Sequence, residues 1–148
     1  MAFADQLARI KTHAVTAGAA VSPAIDDVLV AYPAPKGRCV RIFYAGEQDP
    51  ELIGDTLNED NVDELIHLSA FWPLSNLAEV DAAAVEVQVY AFKHAFRTAV
   101  DADDKLGGNA TSTAVLNCEP GYVQISGADY RTLDIDVVVG HTSYSVGS

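Results

Sequence analysis

The stretch Tyr130-Arg131-Thr132-Leu133-Asp134-Ile135-Asp136-Val137-Val138-Val139 alternates apolar with polar residues before closing on three valines. In an extended chain successive side chains point to opposite faces, so this pattern predicts a strand with one face on a core. Upstream, Ser126-Gly127-Ala128-Asp129 has turn composition, and Thr113–Glu119 reads as a second strand that resumes at Tyr122–Ile125 after an interruption at Pro120-Gly121. We expect a hairpin there, with a bulge or kink at the proline.

Working outward, Phe3, Leu7, Ile10 and Ala14 recur at helical spacing, which predicts an amphipathic helix over residues 2–17 ending at Gly18. Ser22-Pro23 has the composition of a helix start, and Ile25, Val28, Leu29 and Tyr32 share a helical face, so a short second helix is expected before Pro33-Ala34-Pro35. Arg38-Cys39-Val40-Arg41-Ile42-Phe43-Tyr44-Ala45 is dense in strand formers, and Leu65–Trp72 is a second such run stopped by Pro73. From Asn76, a capping residue three positions before Glu79, a long helix should run to about Asp103. Its middle alternates like a strand, but Val85, Val89, Phe92, Phe96 and Val100 make a helical stripe, and length with alanine content decides for helix. The expected class is α+β, a mostly antiparallel four-stranded sheet with helices on one face, in the order ααββαββ.

The chain has 148 residues, 49% of them hydrophobic, enough for one domain to bury roughly 70% of its unfolded surface. With 21 acidic and 9 basic residues its net charge is −12, which argues against a phosphate-gripping surface and so against tight nucleic-acid binding. No apolar run approaches the ~20 residues of a membrane span. The N-terminus lacks the pattern of an export signal, so synthesis in the cytoplasm is expected. Cys39 and Cys118 fall in strands, where a small buried thiol is the ordinary role; a disulfide between them stays open.

Motifs for chemistry are missing. His13, His67, His94 and His141 lie on four different elements without metal-ligand spacing, and no phosphate-cradling glycine loop or nucleophile elbow occurs. Asp101, Asp103 and Asp104 cluster at a helix end without the spacing of a calcium loop, and solvated charge explains them. Ser69 and His67 share a strand face, but no third group can be named from sequence. We expect no catalytic, cofactor-binding or metal-binding residues.

What stands out instead is charge. From Glu47 to Glu64 there are eight carboxylates, among them Asp49, Glu51, Asp55, Glu59 and Asp60, and no Lys or Arg. Such an acidic loop, over about 46–63, is either a solvated insertion or an arm that orders against a neighbouring subunit. Lys36, Arg38 and Arg41, joined by Arg131 from a later strand, hold four of the nine bases and offer an acceptor for it. A head-to-tail contact between the two closes into a ring if the rotation per subunit divides a full turn. Trp72, the single tryptophan, would serve as an interface anchor or, more ordinarily, pack under the long helix.

The element order, the strand Arg41-Ile42-Phe43-Tyr44 leading into an acidic loop, Phe71-Trp72-Pro73-Leu74-Ser75 before the long helix, and the hairpin Gly127-Ala128-Asp129-Tyr130-Arg131-Thr132-Leu133-Asp134-Ile135 resemble tail terminator proteins of long-tailed bacteriophages over residues 2 to 140. The resemblance implies a virion protein made in the host cytoplasm: a homohexameric ring that caps the tail tube, halts its polymerisation and meets the head-side connector, with no cofactor. Six copies of a −12 chain around a channel would repel DNA passing through it. The competing readings are a head-completion or stopper ring of the neck, a small metal-dependent hydrolase built on Asp101, Asp103, Asp104 and a histidine, and a ligand-binding domain with an apolar cavity under the long helix.

Overall fold

The computed structural model describes residues 3–25, 27–30, 33–48, 60–74 and 79–143. Helix α1 (Phe3–Ala20) is followed by strands β1 (Asp27–Val30), β2 (Cys39–Gln48) and β3 (Asp60–Pro73), then helix α2 (Glu79–Asp101), a single 3-10 turn at Leu106–Gly108, and strands β4 (Ser112–Ile125) and β5 (Ala128–Ser143). The class is α+β. The strands form one sheet in the order β1-β2-β3-β5-β4, antiparallel throughout except that β1 runs parallel to β2.

The expected second helix is therefore a strand, and among the described residues the sheet has five strands rather than four and is mixed, in the order αβββαββ. A helix of about ten residues is marginal because its first turn fixes several residues for one hydrogen bond. The open edge of β2 instead offers ready ladder partners, and Asp27–Val30 take them in register with Cys39–Ile42. Gly18 does not end α1 but lies inside it, where a Cβ would come within 3.0 Å of Ile25 Cβ; its bareness lets the returning chain pack directly on the helix.

Two further boundaries moved. The acidic segment is strand at both ends, since Gly46 pairs with Leu65, Glu47 with Glu64 and Gln48 with Asp63, and Asp60 already pairs with Ser143 of β5. Gly46, at φ 105°, carries the bulge that separates Tyr44 from this outer part of the hairpin. In β4 the pairing runs unbroken through Pro120 opposite Leu133, and the irregularity lies between Val115 and Asn117. Among the described residues β4 is an edge strand, where alternate N–H groups point away from the ladder and a proline loses no bond.

Both helices cover one face of the sheet. The predicted stripe Val85, Val89, Phe92, Phe96 and Val100 is buried, and it meets Ile10, Ala14 and Ala17 of α1 together with the inward residues of the sheet, from Val40 and Ile42 through Ile66 and Leu68 to Ile135 and Val137. Trp72 packs under α2 with its ring edge-on to Phe92, centroids 6.1 Å apart. On the opposite face Cys39, Phe71 and Tyr130 form a small second cluster. The crossover between β1 and β2 reaches it, with Tyr130 Oη donating to Pro35 O at 3.4 Å. Cys39 and Cys118 lie on opposite sheet faces, which excludes a disulfide between them.

This packing makes Phe92→Ala a cavity mutation that should remove about 3–5 kcal/mol of stability in urea titrations. Val15→Ala, on the exposed side of α1, should change it by no more than about 0.5 kcal/mol. Equal effects at the two positions would contradict the packing.

Candidate functional site

Strand register assembles a polar cluster on the sheet face away from the helices. His67 sits directly opposite Asp136, and Ser69 opposite Asp134, so one face of β3 and one face of β5 place four hydrogen-bonding side chains side by side. Nδ1 of His67 lies 2.8 Å from Asp136 Oδ1, and Nε2 lies 3.1 Å from Ser69 Oγ. Asp136 also accepts from Asn117 Nδ2 at 3.2 Å. Partial burial pushes its carboxyl up, but the hydrogen bonds from His67 and Asn117 and the neighbouring imidazole charge outweigh it and hold it below the usual range. An ionised carboxylate only accepts, so His67 Nδ1 carries a proton.

Asp136, His67 and Ser69 thus have the connectivity of a hydrolytic triad, but their surroundings do not suit nucleophilic attack. The Ser69 hydroxyl donates to Asp134 Oδ1 at 2.7 Å, and the residue is only 4% exposed. β3 is interior to the sheet, with its backbone N–H groups committed to ladders on both sides, so β3 itself offers no amide pair to receive an oxyanion. The cluster ties β3 to β5 through charge-assisted hydrogen bonds.

A second network answers the acidic cluster at the end of α2. Asp103 Oδ2 accepts from Arg9 Nε at 2.7 Å and lies 2.7 Å from His13 Nε2, while its Oδ1 accepts from the Gly107 amide at 3.0 Å. Folding does bring a histidine to this carboxylate, but a guanidinium comes with it and occupies the position of a cation. The Arg9 hydrogen bond, opposed by partial burial and aided by His13 and Gly107, holds the Asp103 carboxyl at about 2. Beside it Gln6, which is buried, donates to Asn109 O at 2.6 Å, so α1 is bolted to the corner between α2 and β4. Among the described residues no three His, Cys, Asp or Glu converge as a metal-binding group, and no helix is long and apolar enough to cross a membrane.

The residues singled out by charge are scattered differently. Lys36 is exposed on the crossover, and Arg38 beside it is half-buried. Arg41 is 3% exposed, with Nη1 3.5 Å from Asp27 Oδ2 and 3.2 Å from Val40 O, so its charge is answered within the chain rather than offered as an outward base. Arg131 is likewise engaged, bidentate to Glu86 of α2 at 2.7 and 2.8 Å, and lies on the helix side of the sheet, away from Arg41. Glu47 is exposed at the outer end of β2, and Asp60 is the first residue of β3. Asp49, Glu51, Asp55 and Glu59 lie outside the described residues, as does the capping residue Asn76.

Sequence reading missed the flank made by α2 and β4. Lys93 sits 4.8 Å over the Tyr90 ring, and the Arg131 guanidinium 4.3 Å over Tyr122. Tyr90, Tyr122 and Val87 are 64%, 72% and 68% exposed. A hollow of 270 Å³ opens between Tyr90, Lys93, Cys118 and Arg131, and another of 360 Å³ lies beyond Tyr122 against Leu74 and Tyr130. Arg97 donates to Cys118 Sγ at 3.7 Å at the inner margin of the first. Burial pushes the Cys118 thiol up, against the pull of the two cations. The chain matches no protein-family model and no curated protein.

The Asp103 network has a defined pH dependence. A carboxylate whose folded pKa is depressed contributes stability above its unfolded value of about 3.9, and that contribution is lost as pH falls towards 2. Asp103→Asn should cost about 1–2 kcal/mol at pH 7 in thermal or urea melts, with the gap to the unaltered protein narrowing between pH 4 and pH 2. A gap constant over that interval would show that Asp103 does not hold the corner electrostatically.

Proposed function

We propose that this chain is the subunit of a ring that terminates the tail tube of a long-tailed bacteriophage, acting through surfaces that meet other copies and tail components. The observation that carries this reading is the α2–β4 flank. It exposes two tyrosines, each in contact with a cation, and a helical valine beside them. Tyrosine and arginine in this setting are the composition of subunit interfaces, and large exposed apolar side chains grouped on one flank are uncommon on a surface meant only for water.

Other features agree. The acidic segment springs from a β2–β3 hairpin whose outer rungs set Glu47 directly across from Glu64. Glu64 is held by the Tyr44 hydroxyl, while Glu47 stays exposed at the outer end of β2. Neither described polar cluster supplies a nucleophile with room for a substrate, and both are accounted for as structural ties. Assembled as a ring, a subunit of net charge −12 gives an acidic bore past which DNA slides without being held by counterion release. In this role the partners are further copies of the chain, the tail tube protein and the head-side connector, and the site of action is the virion neck.

Native mass measurement and electron microscopy, with and without tail tube protein, test the proposal. The expected result is a ring of six times the chain mass that binds the ends of tubes and stops their growth. A ring that binds only the connector would favour a head-completion or stopper role. A monomer that ignores both would count against a structural assembly role altogether.

A further inference from the structure

We infer that the hollow between α2 and β4 is the docking surface for the acidic outer end of the β2–β3 hairpin of a second copy of the chain; this rests on the ring reading above and names its contact.

Charge complementarity commits the surface to this occupant. On a protein of net charge −12 the hollow is a cationic exception: Lys93 lines it and Arg97 stands at its inner margin. Neither has a carboxylate partner among the described residues. Glu86, the one carboxylate among the described residues that line the hollow, is already taken by Arg131. At the outer end of the β2–β3 hairpin Glu47 is exposed on the helix side of the sheet, across from Glu64, and Asp63 is exposed on the opposite face one rung away. They border the most acidic stretch of the sequence, which has no base of its own. The basic strip around Arg41 does not serve as the acceptor, because Arg41 is buried and bound to Asp27.

The shape of the flank favours side-chain docking over strand addition. β4 is an exposed edge, but Pro120 and the irregularity at Val115/Asn117 interrupt the row of donors that another strand would need. Tyr90 and Tyr122 instead provide rigid walls, each with a cation against its ring, between which an acidic hairpin end finds both apolar contact and charge. Donor and acceptor are different surfaces of one chain, so the contact is heterologous and propagates head to tail, as a ring requires.

Exchange of charges in the full-length chain tests this. Lys93→Glu with Arg97→Glu, and separately Glu47→Lys with Asp63→Lys, should each weaken self-association roughly tenfold or more in sedimentation experiments. An equimolar mixture of the two variants should recover mixed assemblies. Circular dichroism establishes that each is folded, and Tyr90→Ala, at an exposed position, should weaken assembly without changing any charge. Folded variants that assemble as well as the unaltered chain, or a mixture that recovers nothing, would overturn the docking surface and leave the ring reading standing. An unaltered chain that stays monomeric even with tail tube protein would overturn both.

Discussion

Burial of one stripe of α2 against the inward residues of β3 and β5 is the constraint from which the rest of the structure follows. Val85, Val89, Phe92, Phe96 and Val100 occupy one side of 23 helical residues, and they face a sheet whose alternation supplies Ile66, Leu68, Ile135 and Val137 at matching positions. Burying an aliphatic or phenyl side chain is worth roughly 1.5–3 kcal/mol, so this seam and its continuation onto α1 dominate the stability of the domain. Once it forms, the polar residues that alternate with the inward ones at the middle of β3 and β5 lie on the other face. That is how His67, Ser69, Asp134 and Asp136 come together, and why they read as a consequence of the register rather than as a centre of chemistry.

The same seam fixes what is left outside. α2 turns Val87 and Tyr90 away from the core, and β4, outermost in the sheet, carries Tyr122 past the helix layer. The domain therefore has an aromatic, cationic flank at one edge and an acidic hairpin end elsewhere. The first is ill at ease in isolation for its apolar exposure, and the second gathers exposed carboxylates, Glu47 and Asp63, on the two faces of one hairpin end. Contact between copies would relieve both, which is the physical content of the proposed ring.

Much of this was legible in the sequence where periodicity spoke clearly. The stripe of α2 and the strand alternation of Tyr130–Val139 follow from spacing and composition, and of the two roles open to Trp72 the structure shows the buried one. Asp27–Val30 was misread because Ile25, Val28, Leu29 and Tyr32 satisfy a helical period by coincidence, and only the edge of β2 decides for a strand. The acidic segment hid its strand ends because Glu47, Asp60, Asp63 and Glu64 suppress the hydrophobic signal on which strand recognition rests. Cross-strand partners are not encoded in one chain's spacing, so neither Asp136 beside His67 nor Arg9 and His13 on Asp103 could be named beforehand. Arg41 misled for the opposite reason: charge in sequence implied exposure, whereas the fold buries it on Asp27.

Hydrogen exchange followed over a range of protein concentrations addresses the central claim most directly, because amides on a sheet edge exchange freely until something covers them. If surfaces meeting other copies are what this protein uses, the amides of β4 and of the Ala83–His94 turns of α2 should gain protection as concentration rises, while those of α1 stay unchanged. Exchange along β4 and α2 that is the same at every concentration would contradict it.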